Sequence, residues 1–310
     1  VVGVSAAVYD ASTIKRVRRT NSQMQALRDA VYEIVSTNKP CSCRQVYYLG
    51  IGLLWNKDTR GKRNVYNSVV RELGLMRENG RIPFDWITDS TRYMRIPTMY
   101  DSTQDALTRV AEFYRRDLWA LQPRRVEVWA ESDSISGVID SVTRGLGVGL
   151  FSCRGQASKT FAYSSAMTYR EIGKPVNVLY VGDWDPSGLA INHSLNERLE
   201  RYVDGAVSIV FDRIAVTPDD VRGLDLVTHE VNRGDGNYRR WVQHCQEFDL
   251  DPDLAIEVEA IPPPLLRERL ERELYDLVTD ADTWNATIAA EESEREIFAR
   301  LAGDWSGGAL

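Results

Sequence analysis

VLYVGDWDPSGLAI, Val178 to Ile191, is an apolar run that stops at two aspartates flanking a tryptophan and passes at once into Pro-Ser-Gly. A short apolar run closed by turn residues reads as a buried strand, and paired negative charge at the end of a buried strand needs a reason. Asp183 and Asp185 stand two apart, so in extended chain their carboxylates project to one side, separated by about two strand rises of roughly 3.3 Å. One divalent ion can bridge that gap. Magnesium takes oxygen ligands, usually one or two carboxylates together with water and substrate phosphates. Pro186-Ser187-Gly188 then turns the chain into a helix, leaving both acids at the rim of a sheet, where open α/β domains hold their ligands.

On either side of this stretch the chain alternates: VEVWAES, SISGVIDSVTRGL, VGLFSC and SKTFAYSSAMTYREIG before it, SGLAINHSLNERLERY and VSIVFDRIAV after it. Apolar runs alternating with amphipathic helices predict an α/β domain with a mainly parallel sheet over residues 123–310. Glu131 closes the first of these strands as Asp183 closes the third. A glutamate and an Asp-x-Asp at strand ends can converge on one or two metal ions that position a phosphodiester and stabilise its departing oxygen. Taken singly, Asp185 or Ser187 reads better as a helix cap; three acids in this order favour a metal site. Further on, LAIEVEAI reads as one more strand, and LLRERLERELYDLV and AAEESEREIFARL as a helical extension serving packing or a partner surface. Gly145-Leu-Gly147-Val-Gly149 precedes a strand instead of opening a helix, so it reads as a turn and not as a nucleotide fingerprint.

Residues 1–122 follow a different pattern. SQMQALRDAVYEIVS has helix spacing, Thr37-Asn38-Lys39-Pro40 breaks it, SCRQVYYLGIGLLW resumes it, and VYNSVVRELGLMREN follows the basic loop KDTRGKRN. Helix, turn, helix, loop, helix outlines a winged-helix module. A further helix, TQDALTRVAEFYRRDLW, leads to a linker around Pro123.

The net charge of -7 conceals an asymmetry: residues 1–125 carry 21 Lys and Arg against 12 Asp and Glu, net +9, whereas residues 126–310 carry 17 against 33, net -16. A basic half suits phosphate backbones. Lys57, Arg60, Lys62 and Arg63 sit in the loop where a wing would touch DNA, and Arg71, Arg77, Arg81, Arg92 and Arg95 follow. Contacts of this kind are independent of base sequence and weaken steeply with salt. The four cysteines and three histidines fall at no zinc or triad spacing. No apolar run reaches the roughly 18 residues of a membrane span, and the N-terminal stretch lacks the order of a secretory signal. The expectation is a soluble cytoplasmic protein, associated with the nucleoid if bacterial.

GDWDPSGLAI resembles the Asp-x-Asp-Pro-x-Gly-x-x-Ile element of Toprim domains, in particular those of the topoisomerase VI A subunit and its relatives, the meiotic double-strand-break transesterases. VEVWAES, with Glu131, resembles the first strand of that domain and VGLFSCRGQAS the second; where the family commonly has a lysine after the glutamate, this chain has Ser132-Asp133. CRQVYYLGIGLLW is similar to the Arg-x-x-Tyr-Tyr element of the winged helix that precedes Toprim in the family, with Tyr48 in the nucleophile's place and Arg44 one helical turn before it. PFDWITDSTRYMR resembles a stretch of bacterial and phage members of the group.

The resemblance implies Mg²⁺ or Mn²⁺ held by Glu131, Asp183 and Asp185, and attack of Tyr48 on a backbone phosphate of double-stranded DNA with help from Arg44. It implies a homodimer in which the tyrosine of one subunit faces the metal site of the other. Since the sequence has no P-loop, a topoisomerase of this kind would need its ATPase as a separate chain. A tyrosine, with an ordinary pKa of about 10, is a weak nucleophile near neutral pH and needs a cation beside it, which Arg44 on the same helix face can supply. A tyrosine on an amphipathic helix belongs equally well in a core. Three readings therefore stay open: a tyrosine transesterase, a Toprim nuclease using metal-bound water, and a winged-helix DNA-binding protein without catalysis.

Overall fold

The computed structural model of the chain describes residues 21–55, 65–88, 97–153 and 159–305. Its N-terminal part builds helix α1 (Asn21–Asn38), strand β1 (Cys41–Ser42), helices α2 (Cys43–Leu49) and α3 (Val65–Glu78), strand β2 (Ile87–Thr88) and helix α4 (Thr103–Phe113). There follow β3 (Arg125–Ala130), α5 (Asp133–Gly145), β4 (Gly149–Ser152), α6 (Lys159–Ile172), β5 (Val176–Val181), α7 (Pro186–Val203) and β6 (Ile209–Ala215). The chain ends in α8 (Pro218–Gly223), β7 (His229–Glu230), α9 (Tyr238–Glu247), β8 (Leu254–Ala255), α10 (Pro263–Asp276) and α11 (Ala281–Asp304).

Strands β3 to β6 form one parallel sheet in the order β4-β3-β5-β6, so the fold is α/β as the alternating pattern predicts. All six residues of β5 are buried, as a strand covered on both faces requires. Alternation along the strands divides the core. Val128, Ala130, Leu179 and Val181 pack with Ile135 and Ile139 of α5 and Leu266 and Leu270 of α10. Trp129, Val178 and Tyr180 face the other way, against Ala166 and Tyr169 of α6 and Leu195 and Leu199 of α7. Successive side chains of a strand point to opposite faces, so one run of apolar residues serves both layers.

The chain leaves β3 towards β4 on one side and resumes at β5 on the other. Between β3 and β5 lies the topological switch point, where open parallel sheets bind their ligands. The register pairs Ala130 with Val181, and Glu131 N–H donates to Val181 O at 2.8 Å. Glu131 and Asp183 therefore emerge side by side from adjacent strands.

Two helices are shorter than the sequence pattern predicts. α2 ends at Leu49, because Gly50 lies under the Trp55 ring, where a Cβ would collide, and Trp55 Nε1 donates to Tyr47 O at 2.9 Å. α4 ends at Phe113, not near Trp119, because the next residues bind α11: Tyr114 Oη donates to Glu294 at 2.6 Å and Arg116 N–H to Glu291 at 2.9 Å. Long-range partners here outweigh helix propensity.

Residues on both sides of position 122 share one apolar cluster, in which Val46, Tyr47 and Leu73 join Val138, Ile139 and Leu266. The basic loop with Lys57, Arg60, Lys62 and Arg63, like Arg92 and Arg95, lies outside the described residues. Among the described residues, no helix is long and apolar enough to cross a membrane.

Candidate active site

Trp184 divides the two aspartates and decides where a distant segment lands. Its side chain is buried against Trp241 and His244, with ring centroids 5.1 and 5.3 Å away. Its backbone exchanges two hydrogen bonds with Ile256, Trp184 N–H to Ile256 O at 2.8 Å and Ile256 N–H to Trp184 O at 2.9 Å. This antiparallel bridge lays Glu257 and Glu259 beside Asp183, so that one carboxylate oxygen from each of the three lies within 4.8 Å of the others. The expected strand over LAIEVEAI is consequently short. It covers Leu254–Ala255, and Val258–Ala260 turns as a 3-10 helix, with Val258 N–H captured by Asp183 Oδ1 at 2.8 Å.

Glu131 lies against Asp183 from the neighbouring strand. Its Oε2 accepts Asp183 N–H at 3.0 Å and the Tyr180 hydroxyl at 3.2 Å. Asp185 is the N-cap of α7, accepting Gly188 N–H at 2.6 Å, with Pro186 in the first turn. Proline there loses no helix hydrogen bond. The capping role that Asp185 suggests by itself is thus realised, at a position still close enough to Glu257 for the two charges to repel. Beneath the turn, the Arg213 guanidinium donates to Gly182 O and Asp183 O, both at 2.9 Å, and to Gly188 O at 3.1 Å. It holds the two ends of the Asp-x-Asp-Pro-x-Gly turn together. Gly188 approaches so closely that a Cβ would run into Asp183 O.

The N-terminal part meets the same place. Ser42 caps α2 in a reciprocal capping box with Gln45, setting the helix that carries Arg44 and Tyr48. Arg44 pairs with Glu257, and its Nε lies 3.4 Å from Glu259 Oε1. The guanidinium also lies over the Tyr48 ring, 5.9 Å from its centroid, as the one-turn spacing predicts. The Tyr48 hydroxyl hydrogen-bonds Glu257. Tyr48 is 5% exposed, so it is at once a core residue and a residue of the acid site. The resemblance set Tyr48 against the acids of a second subunit; in the structure it stands against Glu257 of its own chain.

Electrostatics follow from crowding acids where water is scarce. Burial, then Glu131, Glu259 and Glu257, hold the Asp183 carboxyl well above its ordinary range. Burial also raises Glu131, Asp185 and Glu259, the last against the opposing pull of Arg44. Burial and then Glu257 push the Tyr48 phenol well above its usual value, although Arg44 pulls the other way. For Arg44, burial opposes the charge but Glu259 and Glu257 outweigh it, so the guanidinium is held protonated.

Asp183, Glu257 and Glu259 suit a hard divalent cation, which takes carboxylate oxygens. Glu259 Oε1 is buried without a hydrogen bond, an acceptor that a cation would satisfy. Of the acids expected as ligands, Asp183 belongs to this group, whereas Glu131 and Asp185 flank it. Glu257 and Glu259 escaped the sequence reading. Their signal was present, since Glu-Val-Glu repeats the two-residue spacing of Asp-Trp-Asp. No family model matches the chain, nor does any curated protein.

Proposed function

We propose that the chain is a Toprim-type protein of the topoisomerase VI A group, joined to a winged-helix module, that cleaves double-stranded DNA by tyrosine transesterification in the presence of Mg²⁺ or Mn²⁺. The observation that carries this reading is the meeting of Tyr48 and Arg44 with Asp183, Glu257 and Glu259 in one site. A tyrosine serving only as core filler has no need of a cation and three acids at its hydroxyl.

In the proposed step, Tyr48 Oη forms a bond to phosphorus while the bond from phosphorus to the 3′ oxygen breaks. The electron pair of the breaking bond leaves with the sugar oxygen, which takes up a proton, and the phenolic proton passes to Glu257, its hydrogen-bond partner. One phosphodiester replaces another, so no external energy source is required. Arg44 faces both the ring and the acids and stabilises negative charge on the phenolate and on the phosphate. Asp183, Glu257 and Glu259 would hold the divalent cation, which when bound supplies the positive charge that favours phenolate and phosphorane alike. Cutting both strands takes two chains, hence a homodimer, and strand passage would call for a separate ATPase chain.

The test is supercoiled plasmid incubated with protein and Mg²⁺ or Mn²⁺, stopped with detergent and resolved with and without protease. Protein joined to 5′ ends, absent with Tyr48→Phe and with Asp183→Asn, supports the transesterase. One observation favours a second reading. The Tyr48 phenol is held well above its usual value, which disfavours the nucleophile and leaves the acids to serve a nuclease acting through water. Cleavage without attached protein that survives Tyr48→Phe would establish that alternative.

A further inference from the structure

We infer that the cleavage site is completed within a single chain: Tyr48 attacks DNA held at the acids of its own subunit, not at those of a partner. The inference rests on the transesterase reading above and deepens it. Four independent ties hold the Tyr48 helix on its own α/β unit. Arg44 pairs with Glu257 and Glu259. Ser42, the cap of α2, shares a 2.8 Å hydrogen bond with Ser134 at the start of α5, and Ser134 also hydrogen-bonds Glu259. Arg267 of α10 donates to Pro40 O at 2.9 Å and Lys39 O at 3.1 Å, fixing the segment that enters β1 and α2. Finally, Cys41, Val46 and Tyr47 are buried in the same cluster as Ile135, Val138 and Ile139 of α5.

Delivery of Tyr48 to a second subunit would break all of these at once. It would leave Glu257 and Glu259 without their guanidinium and expose apolar side chains that are fully buried, such as Cys41 and Val46. Hydrophobic burial of this extent is not given up without an equivalent surface to receive it. A site complete in one chain also makes each strand cut an independent event, so a dimer would nick before it linearises.

The experiment uses two tags on co-expressed full-length chains, so that mixed species are isolated by tandem purification and assayed for protein-linked DNA. Wild type paired with the double variant Tyr48→Phe/Asp183→Asn retains one complete site in the single-chain arrangement and none in the crossed one. Tyr48→Phe paired with Asp183→Asn retains none in the single-chain arrangement and one in the crossed one. Expected are protein-linked nicks from the first pair and none from the second. The reverse pattern overturns the inference while leaving the transesterase reading intact. If the chain runs as a monomer and still forms the linkage, the inference stands. If wild type itself forms no linkage, the transesterase reading fails and takes the inference with it. Circular dichroism on each variant separates loss of folding from loss of chemistry.

Discussion

Arg44 and Glu257 form an ion pair across 213 positions of sequence, and this contact joins the helix of Tyr48 to the acids at the sheet rim. Arg44 is 42% exposed at its side chain and Glu259 only 2%, so its removal leaves a buried carboxylate without its cation.

Replacing Arg44 by alanine should therefore destabilise the chain by about 1–2 kcal/mol, below the 3–5 kcal/mol of a fully buried pair because solvent reaches the guanidinium. Urea unfolding measures this. Arg44→Lys should restore part of the stability but little of any DNA linkage, because an ammonium cannot present the planar fork that reaches Glu257 and Glu259 together.

Asp183 governs a pH dependence whose sign is opposite to that of a salt-bridged aspartate. Its folded carboxyl is held well above the ordinary range, so the folded chain binds a proton more tightly than the unfolded one. Stability from this group is fully present below the unfolded value and is lost as pH rises through the folded one. Divalent cation should offset that loss, by about 2.7 kcal/mol at about 100 times its Kd. Thermal melts with and without Mn²⁺ should show a larger rise at neutral than at acid pH. Asp183→Asn keeps an oxygen for Val258 N–H yet removes the repulsion; it should melt higher than wild type without Mn²⁺ and lose the Mn²⁺ response.

Gly188→Ala places a methyl group against Asp183 O. Overpacking of this kind costs about 1–3 kcal/mol. Because α7 must retreat or Asp183 must move, the variant should also weaken the Mn²⁺-induced rise in melting temperature. A stability loss with an unchanged Mn²⁺ response would show that the turn does not set the acid site.

The basic loop makes a prediction independent of the site. If Lys57, Arg60, Lys62 and Arg63 neutralise phosphates, replacing all four by alanine should lower the slope of log affinity against log salt by roughly 0.9 per contact, about 2–4 in total. Fluorescence anisotropy with two unrelated duplexes at several salt concentrations measures the slope, and the loss should be equal for both.

The alternating strands and helices from β3 to β6 were legible in the sequence, because local periodicity records which faces are covered. The same held for the strand-end positions of Glu131 and Asp183, since an apolar run that stops at a charge marks the sheet rim. The early ends of α2 and α4 were not legible: Trp55 over Gly50 and Glu291 and Glu294 beside Arg116 and Tyr114 are tertiary partners that leave no local trace. Glu257 and Glu259 belong to the site only because Ile256 pairs with Trp184, and Tyr48 only because α2 packs on α5 and hydrogen-bonds through Ser42 to Ser134. By itself the sequence determined the kind of sheet and which residue types could carry chemistry. Which of them meet was decided by the tertiary structure, since periodicity reports burial along a chain and contact between distant residues depends on how buried faces pair.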